Sequence, residues 1–294
     1  MIGIGQGDAA GFRYGYAMIR AEIDRRRSLP ALAVALLALG IGFAAQAAAQ
    51  SGAAVDSTWQ RARVAIPSGA SLDRAVFGDW RDAAVQRAVS AMAPEKPLPA
   101  VIYMHGCSGI GPEDEAARIL LMEWGFTVFQ PNSFARAGRR ANCSATDRVT
   151  ALAPEAHQLR REELQNSLRQ VRALDWIDPS RIYVMGFSEG GMALAGYDGG
   201  NMAGAIITGW HCAGRDRFAG LALAPEVPVL AILGAADPWY RDKQGRHCGE
   251  HFRGRALPAR SLVLNGNGHE IVNSPDVANA ERAKAAIIAF LGGG

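Results

Sequence analysis

The sequence predicts an α/β fold with a mostly parallel central sheet and helices on both faces. Three observations support this prediction. From residue 98 onward, short apolar runs alternate with amphipathic helical segments, which is typical of a parallel sheet. Most of these runs lack the polar alternation of a half-exposed strand, as expected for strands buried on both faces. The chain also has 34 glycines among 294 residues, which suits many tight turns beside strands.

Residues 97–294 are expected to form the main domain. The apolar runs predict strands at 99–106, 126–129, 181–186, 203–210, 227–234 and 261–264. The spacing of apolar residues predicts helices at 112–124, 155–176, 190–195 and 275–291. Acidic residues 113–115 open the first of these helices, where the helix dipole favours negative charge. The charged stretch 155–172 is interpreted as a solvated helix face.

The preceding segment, residues 50–96, is expected to pack on this domain. Residues 59–67 predict an edge strand, and residues 72–92 predict a helix because their apolar side chains recur at rough helical spacing. Two prolines then indicate a turn before the main domain. With 49% hydrophobic and 20% charged residues, a chain of this length can bury a sizeable core, as one large domain or two small ones.

The first 49 residues are predicted to be an export signal and not part of the fold. Three arginines at 25–27 precede an apolar run at 29–45, and a small-residue cleavage pattern follows that ends at Ala49. We interpret residues 18–49 as the signal peptide and residues 1–17 as an upstream extension or a misassigned start. The alternative is a membrane anchor formed by residues 29–45, which is at the short limit for a span.

The charge of the mature chain excludes an electrostatic case for nucleic-acid binding. Residues 1–49 hold five of the 31 basic residues and three of the 28 acidic residues, so the remainder has a formal net charge of +1. Contact with a membrane is expected only through the signal segment if it stays uncleaved. The export signal predicts the periplasm or the medium as the location. The expected partner is a small molecule, and the sequence does not indicate the oligomeric state.

The four cysteines are expected to form two disulfides, because an exported chain meets an oxidising compartment. Three pairings are possible, and we favour Cys107–Cys143 and Cys212–Cys248, each separated by 36 positions. A zinc site at His211-Cys212 and His247-Cys248-x-x-His251 is the alternative for the second pair. Its spacing matches no standard zinc pattern, so no metal is expected.

The stretch GFSEGG directly after the strand at 181–186 singles out one serine. It fits G-x-S-x-G, in which a serine at a sharp strand-to-helix turn acts as a nucleophile at the end of the sheet. Glycines flank the serine because a strained backbone turn leaves no room for larger side chains. An ordinary tight turn has a similar composition, so Ser188 needs partners elsewhere in the chain to be interpreted as a nucleophile.

Two later strand ends supply those partners. Asp237 follows the strand at 227–234, and His269 follows the strand at 261–264. In the α/β-hydrolase fold the chain order is serine, acid, histidine, and sites lie at the C-terminal ends of strands. Each residue could instead belong to a simple turn, but three such residues at successive strand ends favour a catalytic triad. Asp242 and Asp216 are the other candidates for the acid.

An acyl-transfer site also needs donors for the oxyanion. The residue after the nucleophile, Glu189, is expected to supply one backbone N–H. The loop HGCSG after the first strand of the main domain is expected to supply the second, from Cys107 or from its neighbour Ser108. Trp239 and Tyr240 directly follow the acid, and they either line the acyl pocket or pack in the core.

The motifs MHGCSGI, GFSEGG, GAADPWY and GNGHE, in this order and spacing, resemble those of the dienelactone hydrolase family of α/β hydrolases. The resemblance covers about residues 97–292. It implies the α/β-hydrolase fold and a catalytic triad at Ser188, Asp237 and His269. Ser188 stands where the best-known members of that family have a cysteine.

We therefore expect an exported serine hydrolase that cleaves carboxylic esters or lactones through an acyl-enzyme intermediate. No cofactor is expected, because this chemistry needs none. Two alternatives remain open. One is a non-catalytic binding or envelope-associated domain on the same fold, and the other is a peptidase or amidase.

Overall fold

The computed structural model describes residues 52–69, 72–139, 143–144, 149–150, 154–214, 218–243 and 245–292. The predicted signal peptide, the anchor alternative at 29–45 and the upstream extension at 1–17 all lie outside the described residues, and so does Asp216. Across the described ranges, no helix has the length and apolar character needed to cross a membrane.

An eight-stranded sheet forms the centre of the fold. Its strands are β1 (Arg63–Ile66), β2 (Val76–Asp79), β3 (Leu98–Met104), β4 (Thr127–Gln130), β7 (Ile177–Phe187), β8 (Gly204–Thr208), β9 (Val229–Gly234) and β10 (Ala259–Leu264). The spatial order is β10-β9-β8-β7-β3-β4-β1-β2, and a separate two-stranded ribbon joins β5 (Cys143–Ser144) to β6 (Val149–Thr150). Neighbours from β10 to β4 are parallel, and β1 is antiparallel to both β4 and β2. The mostly parallel sheet is therefore confirmed.

Helices cover both faces of this sheet, as predicted. They are α1 (Ala83–Ala91), α2 (Pro112–Glu123), α3 (Pro154–Arg172), α4 (Glu189–Ala195) and α5 (Val277–Gly292). Strand β3 alternates between the two cores, with Ala100 and Ile102 on one side and Val101 and Tyr103 on the other. The first core contains apolar side chains of α1, α3 and α4, and the second contains those of α2 and α5. Because β3 is buried on both faces, its sequence is almost continuously apolar.

Two predictions for the N-terminal segment are wrong. Strand β1 is not an edge strand, because it lies between β4 and β2, and the helical segment at 54–60 takes up the start of the predicted strand. The predicted helix at 72–92 is divided into β2 and α1. A turn separates them, since the Asp82 carboxylate accepts the N–H of Asp79 at 2.9 Å just before α1 begins. Spacing of apolar residues did not reveal this turn.

The predicted solvated face of α3 is also wrong for its central residues. The side chains of Arg160 and Glu163 are fully buried, and so are those of Asn166 and Ser167. Arg160 donates to Glu163 at 2.9 Å, and Ser133 donates to the same carboxylate at 2.8 Å. Burial of these charges is possible because each has partners from other parts of the chain, which the helix sequence alone does not contain.

Both favoured disulfides are present in the structure. Cys107, in the loop after β3, is bonded to Cys143 of the two-stranded ribbon, with 5.9 Å between their Cα atoms. Cys212, after β8, is bonded to Cys248 at the start of a short 3-10 helix, with 4.8 Å between their Cα atoms. Each disulfide therefore fixes a loop that follows the C-terminal end of a strand. The second one also removes both thiols from the alternative zinc site.

Serine at both Cys212 and Cys248 should lower the free energy of unfolding by about 4 kcal/mol, the value that loop entropy gives for a closed loop of this size. Urea denaturation of the parent and the double variant measures this difference. Peptide mapping of the parent without reductant should recover both pairs. A loss below about 1 kcal/mol would contradict the stabilising role. Four free thiols in protein purified from an oxidising compartment would contradict the pairing itself.

Candidate active site

The turn that carries Ser188 is strained. Strand β7 ends at Phe187 and helix α4 begins at Glu189, so the chain reverses within one residue. Ser188 has φ 53° and ψ −112°, a conformation that costs a non-glycine residue about 1–3 kcal/mol. Its N–H is held by the carbonyl of Thr208 on the neighbouring strand at 2.9 Å. The side chain is thereby presented at the C-terminal end of the sheet.

The glycines on either side of this turn are required by close backbone contacts. A Cβ atom at Gly186 would lie 2.4 Å from the carbonyl oxygen of Gly190. A Cβ atom at Gly190 would lie 2.0 Å from the carbonyl oxygen of Met104, at the end of β3. Neither obstacle is a flexible side chain, so any larger residue would force the strand or the helix apart. The glycine positions of G-x-S-x-G therefore have a steric explanation.

The structure brings Ser188, His269 and Asp237 into one hydrogen-bonded chain. His269 Nε2 lies 3.1 Å from Ser188 Oγ, and its Nδ1 lies 2.6 Å from Asp237 Oδ2. The other carboxylate oxygen of Asp237 accepts the N–H of Trp239 at 3.0 Å. With Nδ1–H donated to the carboxylate, Nε2 is free to accept the serine proton. Asp237 is buried and His269 is 13% exposed, so the imidazole edge can be reached from outside.

The residues predicted as oxyanion donors come from two segments, the loop after β3 and the start of α4. Glu189 is the first residue of α4, so its backbone N–H has no acceptor within the helix. Cys107 and the exposed Ser108 line the same cavity as Ser188 and His269. The cavity has a volume of about 430 Å³, within the usual range for small-molecule sites. A depression of about 440 Å³ between α3 and Tyr197, which follows α4, is as large but includes none of these residues.

Trp239 and Tyr240 have different positions. Trp239 lines the cavity and stacks on the His269 ring, with the centroids 5.1 Å apart and 30° between the planes. Phe187 also packs against His269, at 5.1 Å. Tyr240 is not among the residues that line the cavity, but its ring lies 5.8 Å from the His269 ring, and its hydroxyl donates to the Gly209 carbonyl at 2.9 Å. Burial, followed by the nearby Asp237 charge, raises the pKa of Tyr240 well above its ordinary value. Tyr240 thus packs against the His269 ring without lining the cavity.

The sequence analysis missed the role of Glu113. Its buried carboxylate accepts three backbone N–H groups, from Ile271 at 3.1 Å, Val272 at 3.0 Å and Asn273 at 2.7 Å. These residues begin two positions after His269, so Glu113 fixes the loop that carries the histidine. An acidic residue in the first turn of a helix is common for electrostatic reasons. Because the partners lie 158–160 positions away, no local pattern could have identified them.

A Glu113→Gln variant should change how stability depends on pH. Burial raises the pKa of Glu113 from 4.5 to about 7, and this outweighs the opposing backbone hydrogen bonds. A carboxyl with a raised folded-state pKa contributes stability at low pH that is lost as the pH rises through that pKa. Glutamine does not ionise and loses nothing. Between pH 4 and pH 8, the stability of the variant relative to the parent should therefore improve by about 3 kcal/mol.

Urea unfolding of both proteins at several pH values measures this difference. Glu123→Gln, at an exposed position at the end of the same helix, is the matched control. It should leave the pH dependence as in the parent. Parallel stability curves for the parent and Glu113→Gln across this range would contradict the prediction.

Comparisons with known proteins agree with this architecture. The model of the dienelactone hydrolase family matches residues 87–292. A dienelactone hydrolase-like promiscuous phosphotriesterase from metagenomic libraries superposes with a TM-score of 0.54 at 17% identity, covering 79% of this chain and 97% of its own. A protein assigned as a dienelactone hydrolase from Klebsiella pneumoniae superposes with a TM-score of 0.51 at 15% identity, covering 68% of this chain and 89% of its own.

At these identities the two structures demonstrate the fold alone. No curated protein matches the sequence. The family match extends over more than two thirds of the chain and includes the ends of β3, β7, β9 and β10, from which the site residues come. The resemblance predicted from the four motifs is thus confirmed: the chain belongs to the dienelactone hydrolase family and is a carboxylic ester hydrolase.

Proposed function

We propose that this protein is an exported serine hydrolase that cleaves small carboxylic esters or lactones. Ser188 is the nucleophile, His269 the general base and Asp237 the residue that orients the histidine. One observation carries the proposal, namely the continuous chain from Asp237 Oδ2 through the His269 ring to Ser188 Oγ, with distances of 2.6 and 3.1 Å. These distances are those of a serine activated by a base that a third group holds in place.

The reaction follows from this geometry. Ser188 Oγ attacks the carbonyl carbon while His269 Nε2 takes its proton, and the Asp237 carboxylate stabilises the imidazolium that forms. The imidazolium then gives the proton to the departing alkoxide, which leaves an acyl-enzyme on Ser188. A water molecule deprotonated by His269 attacks the acyl carbonyl, and the collapse of this second intermediate releases the acid and restores the serine.

The negative charge that develops on the carbonyl oxygen needs fixed donors. We assign this role to the backbone N–H groups of Cys107, in the loop after β3, and of Glu189, at the start of α4. Loss of one such donor typically costs about 3–4 kcal/mol of transition-state stabilisation. Ser108 and Trp239 line the same cavity and are proposed to contact the substrate.

Export is proposed from two features. Residues 18–49 have the pattern of a signal peptide, and disulfides such as the two present here persist in oxidising compartments. A peptidase or amidase would use the same three residues, so comparing the turnover of matched esters and amides distinguishes that alternative. A non-catalytic domain on this fold would turn over neither.

Replacement of Ser188 by alanine should lower ester turnover by several orders of magnitude and leave the protein folded, because only the nucleophilic oxygen is removed. Initial rates with a short-chain aryl ester measure the loss, and a fluorophosphonate probe should label the parent but not the variant. Ser180→Ala, at an exposed position near the start of β7, is the control and should retain full activity. Undiminished turnover by the Ser188→Ala protein would disprove the assignment.

The pH profile tests the three residues together. His269 must be neutral to accept the serine proton, so kcat/KM should rise with pH through a single ionisation. Asp237→Asn should stay folded and lose a large factor in rate, because an amide can leave the imidazole in the wrong tautomer. Asp175→Asn, an exposed change, should behave as the parent. A flat profile from about pH 5 to 9 together with a fully active Asp237→Asn protein would exclude Asp237 as the acid.

A further inference from the structure

A buried network of charges includes the side chain of Glu189, the residue that follows Ser188. It comprises Arg139, Arg160, Glu163 and Glu189, whose side chains are at most 2% exposed. Two positive and two negative charges balance one another, which offsets much of the cost of removing them from water. Arg139 bonds to Glu189, and Arg160 bonds to Glu163 at 2.9 Å. The mechanism proposed above uses the backbone of Glu189 but not these side chains.

Arg160 connects this network to the loop that contains Cys107. Its guanidinium donates to the carbonyl of His105 at 2.7 Å and contacts His105 Nε2 at 3.3 Å. His105 Nε2 also accepts the N–H of Ser133 at 3.1 Å, and its Nδ1–H donates to the Gly106 carbonyl at 2.7 Å. Burial, followed by the positive charge of Arg160, lowers the pKa of His105 well below its ordinary value. The ring is therefore a neutral spacer that holds the backbone just before Cys107.

The same guanidinium also lies near Glu189, the residue that follows Ser188. Arg160 Nε lies 3.7 Å from Glu189 Oε1, the oxygen that also bonds to Arg139. Glu189 follows Ser188 directly and is the first residue of α4. A contact that holds the Glu189 side chain therefore also restrains its backbone N–H. One side chain thus contacts both chain segments that carry the assigned oxyanion donors.

On the basis of the function proposed above, we propose that Arg160 is a positioning residue for the oxyanion hole. It sets the spacing between the Cys107 and Glu189 N–H groups because it hydrogen-bonds to the His105 carbonyl at 2.7 Å and lies in ionic contact, at 3.7 Å, with the Glu189 carboxylate. Donors of this kind must lie about 2.7–3.1 Å from the oxyanion to be effective. A small change in that spacing weakens the transition state more than the bound substrate, so it lowers kcat with little effect on KM.

A role in charge balance alone makes a different prediction, and two variants separate the two roles. Arg160→Lys keeps the positive charge but loses the planar fork that contacts both segments. The double variant Arg160→Met with Glu163→Gln removes one charge of each sign, so the remaining Arg139 and Glu189 still balance. If Arg160 only neutralises buried charge, both proteins should have the parental kcat. If it positions the donors, both should be impaired.

The experiment measures kcat and KM for a short-chain aryl ester, with turnover expressed per site labelled to completion by a fluorophosphonate. We expect both variants to lose about tenfold to a hundredfold in kcat, and KM to stay within about threefold. The affinity for a trifluoromethyl ketone, which adds Ser188 to form a tetrahedral oxyanion, should fall by a similar factor. Arg161→Met removes the next arginine of α3, which pairs with the exposed Asp198, and should match the parent in all three quantities.

Parental kcat and parental ketone affinity in both variants would overturn the role of Arg160 and leave the function of Ser188 untouched. The two failures are distinguishable, because the label on the parent protein reports on Ser188 separately. A parent that hydrolyses the ester without any label at Ser188 would overturn the proposed function and the role of Arg160 with it.

Discussion

The close contact between the backbone of α4 and the end of strand β3 is the constraint on which the site depends. Gly190 lies so near the Met104 carbonyl that a single methyl group could not be added. This contact lets the chain turn sharply after β7, and the turn presents Ser188 at the C-terminal end of the sheet. The loops after β9 and β10 begin at the same edge of the sheet, so Asp237 and His269 lie beside Ser188.

A second feature of the structure is that buried ionisable side chains hold loops together. Glu113 binds three N–H groups of the loop after His269, and Arg160 binds the segment before Cys107. A buried charge is costly unless its partners are arranged to meet it, so each of these contacts exists only in the correct fold. Hydrophobic contacts at the same positions could give equal stability, but they would fix the direction of the backbone less narrowly.

The sequence predicted the sheet, its two covering layers and the three residues of the hydrogen-bonded chain Ser188–His269–Asp237, because all of these follow from short-range patterns. Apolar runs of strand length determine the sheet, and strand ends determine which side chains can meet. The turn between β2 and α1 was missed, because the helical spacing of apolar residues continues through Asp82, where the turn lies. The burial of Arg160 and Glu163 was not predicted, because a charged pair three residues apart has the same sequence pattern on a solvated helix and on a buried one. Only partners distant in the chain decide between the two.

The loop of residues 105–108 is constrained from both of its ends, and this is where the two kinds of constraint combine. The disulfide to Cys143 holds Cys107 covalently on one side, and Arg160 holds the His105 carbonyl two residues earlier. Ser188 itself sits in a costly backbone conformation that only its neighbours maintain. Electrostatic catalysis needs donors that do not reorganise during the reaction. A short loop held at His105 and Cys107, beside the turn at Ser188, suits the donors that we propose for Cys107 and Glu189. The side chains that hold these loops in place, Glu113 and Arg160, lie in α2 and α3, outside the motifs that identify the site.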